Sequence, residues 1–419
     1  MNRPASAIVH YTAPPVIGGV EAVMQAHVQT FVRLGYPVAV VAGRGAGTAL
    51  PAAADYISIP EIDSLHPRIV SLSSQLEDGE VPPDFDDVVD QLVAALSPVL
   101  SRFDNVIVHN LFTKHFNLPA TAALHRLLDA SELHHCIAWC HDFTWTSPSS
   151  RSKVHPGYPW ELLRTFRPDV TYVVVSERRK RELVSLLGCP SDKIHVVYNG
   201  VEPCSLLGLS AEGWALVSRL GLLEADIILL MPVRVTQAKN IEYALHLVAA
   251  IKARGQRPKL IVTGPPDPHD PESIAYFQEL KALRQRLNVD EEVSYVFEAG
   301  PEPGQPYTID ERVVGDLFRV SDVTFMPSHR EGFGMPVLEA GLVGVPVFCT
   351  DIPVAEEIGG HDVTTFTPTQ APDRTAEAIV GWAEESPIHR LRRRVRQSFT
   401  WDVIFRRDIA PLLDNAEAG

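Results

Sequence analysis

Short apolar segments rich in β-branched residues alternate with amphipathic segments along the chain. In the first half, the strand pattern falls at residues 7–12, 38–42, 106–109, 136–140, 170–176 and 194–198. The helical period of apolar residues falls at residues 19–34, 88–100 and 120–128. Strands that are separated by helices predict parallel βαβ units, in which ligands bind at the carboxyl ends of the strands.

The pattern stops once and then restarts. Turn residues dominate residues 199–208, with the sequence NGVEPCSLLG. Further strands are predicted at residues 227–231, 260–263, 323–326, 345–349 and 363–366, with surface loops at 264–271 and 298–307. The sequence therefore predicts two α/β domains joined near residues 200–220, followed by a last helix over residues 401–413.

Length and charge narrow the class of protein. A chain of 419 residues is too long for one ordinary domain. The formal net charge of −15 works against a general affinity for nucleic acid or anionic membranes. No run of about 18 uncharged apolar residues is present, and the first residues lack the features of a signal peptide. We expect a soluble cytoplasmic protein with no integral membrane segment and no nucleic-acid partner.

The five cysteines predict buried thiols rather than a disulfide framework, because they are scattered and odd in number. Cys136 and Cys140 lie near three histidines, which raises the question of zinc. In an extended strand these two cysteines are about 13 Å apart, at roughly 3.3 Å per residue. They could not share one ion without a bend, so no metal site is predicted.

The most informative stretch is 327–344, with the sequence PSHREGFGMPVLEAGLVG between two predicted strands. Glu331 and Glu339 stand eight positions apart. The residues between them include Gly332, Phe333, Gly334, Met335 and Pro336. Proline suits the first turn of a helix, and the amides before a helix N-terminus favour sugar hydroxyls and negative charge. Glu339, about one turn into the helix, is placed to accept hydrogen bonds from a ribose diol.

This stretch resembles the signature of the family 4 retaining glycosyltransferases, which have the GT-B fold. Two other features agree with the resemblance. Arg234 and Lys239, followed by Asn240, resemble the family's basic pair at the start of a helix in the second domain. Gly18 and Gly19 resemble the glycine turn at which the donor phosphates approach the backbone. The resemblance covers nearly the whole chain.

The resemblance implies an α/β architecture of two Rossmann-like domains whose parallel sheets face an interdomain cleft. Residues 1–205 are expected to form the acceptor domain, and residues 206–397 the nucleotide-sugar donor domain. Residues 398–419 are expected to cross back and pack on the first domain. Asn199 and Gly200 resemble the family's turn at the end of the first domain, a hinge rather than a chemical group.

The implied activity is the metal-independent transfer of a hexose from a UDP- or GDP-linked sugar to an acceptor hydroxyl, with retention by a front-face mechanism. The nucleotide sugar is a co-substrate, and no cofactor is expected. Without a metal, fixed cations and amides must meet the charge of the leaving diphosphate. The expected catalytic residues are His141, Arg234, Lys239 and Glu331. The expected donor-binding residues are Gly18, Gly19, Arg234, Lys239, Glu331, Gly332, Phe333, Gly334, Met335, Pro336 and Glu339.

His141 and Asp142 end the segment CIAWCHD, directly after the predicted strand 136–140. In the family, a histidine at this place contacts the donor sugar, and its carbonyl or ring helps stabilise the developing oxocarbenium ion. The resemblance does not imply a general base. A strand-end histidine bonded to a neighbouring carboxylate is the structural alternative.

The acceptor is left open between a small anionic molecule and a glycan. Segments 110–117 and 144–160 each follow a predicted strand of the first domain. The candidate acceptor contacts in them are Asn110, Lys114, Trp145, Arg151 and Lys153. A basic and aromatic loop suggests an acceptor with phosphate or carboxylate, whereas the alternative is a solvated lid with incidental charges.

Two other classes of function stay open. One is a GT-B-like epimerase or phosphorylase, and the other is a non-catalytic sugar-nucleotide-binding protein. A nicotinamide-dependent dehydrogenase is disfavoured because neither half opens with G-x-G-x-x-G between a strand and a helix. The base and sugar of the donor and the oligomeric state are not determined by the sequence.

Overall fold

The computed structural model describes residues 3–267, 269 and 271–414, and the chain divides into two compact units. Of the described residues, 3–200 and 401–414 belong to the first unit, and those between 201 and 400 belong to the second. The sequence predicts these boundaries at 205/206 and 397/398. Residues 415–419 of the expected returning segment, and residues 268 and 270 of the predicted loop 264–271, lie outside the described residues.

The first unit is built on a seven-stranded parallel sheet of order β3-β2-β1-β4-β5-β6-β7. Its strands are β1 Ser6–Thr12, β2 Val38–Arg44, β3 Asp55–Ser58, β4 Asn105–His109, β5 Cys136–Cys140, β6 Val170–Val174 and β7 Ile194–Val196. The central strands β1, β4 and β5 are buried throughout. Helices cover both faces of a parallel sheet, so such strands are apolar on both sides.

The second unit is built on a six-stranded parallel sheet of order β10-β9-β8-β11-β12-β13. Its strands are β8 Ile227–Met231, β9 Pro258–Val262, β10 Val293–Tyr295, β11 Val323–Met326, β12 Val347–Thr350 and β13 Thr364–Phe366. The fold class inferred from the sequence, two Rossmann-like domains with parallel sheets, is confirmed.

The helices alternate with these strands along the chain. They are α1 Gly19–Arg33, α2 Pro67–Glu77, α3 Phe85–Leu100, α4 Leu118–Asp129, α5 Glu177–Leu187, α6 Pro203–Leu206, α7 Ala211–Arg219, α8 Ile241–Ala253, α9 Pro271–Arg286, α10 Glu311–Val320, α11 Met335–Val343, α12 Pro353–Gly359, α13 Pro372–Glu385, α14 Pro387–Ser398, α15 Trp401–Ile404 and α16 Ala410–Asp414, with a π-helical turn Phe405–Ile409 between the last two.

The C-terminal helix returns to the first unit, as expected. The Phe405 ring meets the Phe31 ring of α1 edge to face at 4.9 Å between centroids. The Trp401 ring meets His27 in the same way at 5.0 Å. Both Trp401 and Phe405 are buried, so the apolar face of this segment completes the core beside α1.

A buried ion pair anchors α14 to the second sheet. Arg396 donates to both carboxylate oxygens of Asp322, at 2.8 and 2.9 Å, at the residue before β11. The two side chains are 7% and 1% exposed. Burial raises the pKa of Asp322, but His389, Arg396 and Arg392 outweigh it and bring the pKa to about 2. The pair therefore stabilises the fold with Asp322 ionised.

We expect Asp322→Asn to destabilise the second unit by about 3 kcal/mol at pH 7, because it leaves the buried guanidinium of Arg396 without a counter-charge. The folded pKa lies below the unfolded value of about 3.9, so this stabilisation is present above pH 4 and is lost as the pH falls towards 2. Urea unfolding of the parent and Asp322→Asn between pH 7 and pH 2.5 measures the difference in unfolding free energy.

Asp362→Asn, at an exposed position, is the control, and its unfolding free energy should stay within about 0.5 kcal/mol of the parent. A constant difference between parent and Asp322→Asn across this range would contradict the assignment.

Candidate functional site

In the second unit, the residues with predicted chemistry follow two neighbouring strands. Arg234 and Lys239 follow β8, whereas Glu331 follows β11, which pairs with β8 in parallel. Parallel neighbours end at the same edge of a sheet, so the two segments meet. The Lys239 Nζ lies 2.7 Å from each carboxylate oxygen of Glu331, although the residues are 92 positions apart.

The loop after β11 is held in place by hydrogen bonds. Ser328 Oγ donates to Glu331 Oε1 at 2.6 Å, and Thr350 Oγ1 donates to the Ser328 carbonyl at 2.5 Å. The His329 amide donates to the Ala238 carbonyl at 2.9 Å, which joins the loop to the turn that carries Lys239. The Glu331 side chain is only 9% exposed. Its carboxylate is therefore oriented by protein groups before any ligand binds.

Arg234 and Glu339 differ from this pair, because each lacks a bonded side-chain partner among the described residues. Arg234 is exposed at the end of the segment PVR after β8, and Glu339 is exposed on α11. Partial burial of its carboxyl, and then the charge of Glu311, raise the pKa of Glu339. A cation and a carboxylate without internal partners are available to a ligand. Whether all four of these residues contact a donor stays a prediction.

The turn before α11 contains one glycine that its backbone conformation requires and another that has open space around it. Gly334 caps α11 with φ 83°, in the left-handed region, and Pro336 lies in the first turn. A Cβ at Gly334 would lie 3.1 Å from Val354, whereas a Cβ at Gly332 would meet no atom within 4 Å. Phe333 and Met335 are each 53% exposed. The turn thus presents backbone and two apolar side chains at the same edge as the ion pair.

We expect Gly334→Ala to destabilise the second unit by about 1–2 kcal/mol, because alanine is strained in the left-handed region. Gly332→Ala should change the unfolding free energy by less than about 0.5 kcal/mol. Thermal unfolding of the two variants side by side checks this. Equal destabilisation by both substitutions would show that the turn geometry is wrong.

In the first unit, His141 directly follows β5 and is 8% exposed. Its amide donates to Asn110 Oδ1 at 2.9 Å, and its ring Nε2 lies 3.0 Å from His109 Nδ1. Burial and then the charge of His10 lower the pKa of His141 to about 4. The imidazole is therefore neutral at pH 7, and the predicted alternative, a histidine bonded to a carboxylate, is not what the structure shows.

An acidic side chain fills part of the space beside the glycine pair at the start of α1. A Cβ at Gly18 would overlap the carboxylate of Glu21, whereas a Cβ at Gly19 would meet nothing within 4 Å. Glu21 accepts a hydrogen bond from Thr12 and lies 3.8 Å from His10 Nε2. The sequence reasoning missed Glu21. Its signal is an acidic residue in the first turn of a helix, where the helix dipole stabilises negative charge.

Three of the five candidate acceptor contacts have partners within the unit. Asn110 is buried and its side-chain oxygen accepts from the amides of His141 and Asp142. The buried Trp145 indole donates its N–H to the Trp160 carbonyl at 3.2 Å. Lys153 Nζ pairs with a Glu77 oxygen at 2.9 Å. These hydrogen bonds give Asn110 and Trp145 a part in the fold, and their contact with an acceptor stays a prediction.

The other two candidates, Lys114 and Arg151, form no ion pair within the described residues, unlike Lys153. Lys114 lies over the Phe116 ring at 4.7 Å, and partial burial lowers its pKa. Arg151 lines an open cavity of about 340 Å³ together with Trp145, Arg164 and Glu182. That cavity brings together only two of the five candidates, Trp145 and Arg151.

Two of the cysteines, Cys136 and Cys140, are buried in β5. Burial raises the pKa of Cys140 to about 12 and raises that of Cys136 as well, so both thiols are protonated at pH 7. Within residues 3–267, 269 and 271–414, no group of three His, Cys, Asp or Glu side chains has the arrangement of a metal site. In the same part of the chain, no helix has both the length and the apolar character needed to cross a membrane.

Comparison with known proteins gives matches in both units. Residues 17–203 match the family model described as Glycosyltransferase Family 4. Residues 215–398 match the model described as Glycosyl transferases group 1. Together the two matches take in most of the chain.

Individual relatives are similar over part of their length. An uncharacterised glycosyltransferase of Methanocaldococcus jannaschii is 27% identical over 252 residues, which are 58% of this chain and 60% of that protein. The mannosylglucosylglycerate synthase of Petrotoga mobilis is 24% identical over 264 residues, 60% of each. The D-inositol 3-phosphate glycosyltransferase of Xylanimonas cellulosilytica is 27% identical over 240 residues, 55% of this chain and 54% of that protein. The chain thus spans less than two thirds of the length of these relatives.

Among solved structures, the sucrose-phosphate synthase of Thermosynechococcus elongatus aligns over 99% of this chain and 100% of its own, with 14% identity and a TM-score of 0.41.

Proposed function

The chain belongs to glycosyltransferase family 4, and we propose that it is a retaining hexosyltransferase that uses a UDP- or GDP-linked sugar without a metal or cofactor. The observation that carries the proposal is the meeting of two distant segments in the second unit. Lys239 and Glu331, from the segments after β8 and β11, form one ion pair, and the same two segments carry the exposed Arg234 and the glycine-rich helix start. This combination of cations and free backbone amides suits a diphosphate.

Each group in the second unit has a distinct part in the proposed donor site. Arg234 and Lys239 supply positive charge to the diphosphate, which gains negative charge as the glycosidic bond breaks. The amides of the turn at Gly332 and Gly334 donate to donor oxygens, and Glu339 accepts from the ribose diol. Glu331 is already held by Lys239 and Ser328, so its carboxylate is oriented towards sugar hydroxyls at no further ordering cost.

The proposed chemical step is a front-face substitution. The bond between the anomeric carbon and the departing phosphate oxygen breaks, and a bond from that carbon to the acceptor oxygen forms on the same face. The acceptor's hydroxyl proton moves to the departing phosphate oxygen. His141 contributes its neutral ring or its carbonyl to stabilise the positive charge on the sugar, and no carboxylate nucleophile is invoked.

For the acceptor, we propose a small anionic molecule. The names of two relatives contain inositol 3-phosphate and a glycerate compound, and these words describe a phosphorylated and a carboxylated molecule. In this chain, Lys114 and Arg151 are the candidate cations whose charges are not taken up by an ion pair within the described residues. The glycan alternative predicts no dependence of turnover on these two charges.

We expect Arg234→Ala to raise the dissociation constant of the preferred nucleoside diphosphate roughly tenfold or more, because a charge-assisted hydrogen bond is lost. Calorimetry with UDP, GDP and ADP, without metal and then with magnesium, identifies the base and measures the effect. Arg286→Ala, at an exposed arginine of α9, is the matched control and should leave the affinity unchanged. Equal affinity of the parent and Arg234→Ala for the diphosphate, or binding only with magnesium, would contradict the proposed site.

Lys239 needs a paired design, because its loss leaves the Glu331 carboxylate unmatched. Lys239→Met should therefore be compared with the double variant Lys239→Met/Glu331→Gln. The double variant recovers the stability but not the diphosphate affinity if Lys239 serves the donor.

Retention is tested with the donor that calorimetry selects. We expect the freshly formed product to carry the same anomeric configuration as the donor sugar, read from the anomeric coupling constant by proton NMR. D-glycerate and inositol phosphate serve as acceptor probes, with an uncharged sugar for comparison. An inverted product would refute the front-face step, and release of an epimerised nucleotide sugar would indicate a different enzyme class.

A further inference from the structure

A buried row of aromatic rings lies behind His141 in the first unit. The His109 ring is nearly parallel to the His141 ring, at 5.2 Å between centroids and 21° between planes. On its other side His109 stacks on Trp139 at 5.7 Å and 19°. His27 meets both Trp139 and Trp401 edge to face. The proposed reaction uses only His141, so the function of the ring behind it needs an explanation.

The rings of His109 and His141 form one hydrogen bond with each other. The His109 Nδ1 and the His141 Nε2 are 3.0 Å apart, which is hydrogen-bonding distance. Burial is the main cause that lowers the pKa of both histidines, to about 4 for His141. Two neutral rings at pH 7 carry one N–H each, so one ring donates and the other accepts. The choice of donor decides the tautomer of both.

The surroundings of His109 decide between the two arrangements. Its second nitrogen, Nε2, is buried and has no hydrogen-bond partner among the described residues. If His141 were the donor, His109 would keep its proton on this nitrogen and bury an unpaired N–H. Orphaned buried N–H groups are rarer in folded proteins than under-satisfied acceptors. His27 in the same row buries one, since neither of its ring nitrogens has a partner among the described residues, and a second orphan at His109 would add to that cost. The arrangement with Nδ1–H on His109 avoids the orphaned donor.

We infer that His109 is a positioning residue that donates its Nδ1–H to Nε2 of His141 and so holds the His141 proton on Nδ1. The residue after it completes the placement. Asn110, with φ 63°, accepts the His141 amide through its side chain and donates its own amide to the Trp139 carbonyl at 3.0 Å. Two consecutive residues at the end of β4 thereby set both the backbone and the ring of His141.

The consequence for the reaction rests on the proposed function. With its proton on Nδ1 and its Nε2 occupied, His141 can act in the proposed reaction as a neutral hydrogen-bond donor to a sugar hydroxyl, which leaves its carbonyl to stabilise the positive charge. It has no unoccupied lone pair with which to remove a proton. Its ring nitrogen Nδ1 has no hydrogen bond to any described residue, so this N–H is available. The effect of His109 on the reaction is therefore to select the Nδ1–H tautomer of His141.

The first test reads the tautomer directly and does not depend on turnover. Protein labelled with nitrogen-15 in its histidines is studied at pH 7 by long-range N–H correlation, with assignments from His109→Asn and His141→Asn. We expect the Nδ1–H form for both rings, whereas unconstrained histidine favours the Nε2–H form. An Nε2–H form for His141 would overturn the inference, even if the protein is a glycosyltransferase as proposed.

The second test separates positioning from packing. His109→Phe keeps a ring beside Trp139 but has no donor, whereas His109→Asn places an N–H close to the position of Nδ1. With unfolding midpoints used to confirm that both fold, we expect His109→Phe to lower kcat roughly 10- to 100-fold with the donor KM unchanged. His109→Asn should recover kcat to within a few-fold of the parent. Equal losses in the two variants, or no loss in His109→Phe, would overturn the positioning role. Absence of transfer in the parent would instead refute the proposed function, and the NMR result would still stand.

Discussion

In a parallel sheet each strand starts and ends at the same edge as its neighbours, and the strand pairs that the described residues form in both units are all parallel. The connections that carry chemistry are therefore gathered at one edge of each sheet, however far apart they are in sequence. In the second unit this constraint joins the segments after β8 and β11, where Lys239 meets Glu331. In the first unit it joins the ends of β4 and β5, where His109 meets His141.

The strand β11 shows how the same kind of interaction serves two purposes. At its amino end, Asp322 and Arg396 form an ion pair that is almost completely buried and whose groups are fully occupied. At its carboxyl end, Glu331 is 9% exposed and Lys239 is 22% exposed. The first pair has only a structural consequence, because no ligand can reach it. The second shares the segment after β8 with Arg234, which has no internal partner among the described residues, and the partly exposed Lys239 can respond to a charged ligand.

Much of the architecture follows from local pattern. Strands that are buried on both faces are continuous apolar runs, which is why β1, β4, β5 and β8 could be read from the sequence. The edge strand β3, with the sequence DYIS, is half exposed and has no such run. The strand β10 has only three residues. The helix α2 was also missed, because its buried residues are separated by serines that favour helix poorly.

For the site, the spacing of Glu331 and Glu339 around a glycine turn and the basic residues after β8 are properties of the sequence. So are the family resemblance and the division into two α/β domains, because each depends on residues that are close in the chain. Only the tertiary structure decided which charges are matched and which are available, since Lys239 and Glu331 are 92 residues apart. It also decided that Asn110, which the sequence suggested as an acceptor contact, holds the backbone of His141. A hydrogen bond between distant residues depends on how the strands pair, and local pattern carries no information on the partner that a side chain meets.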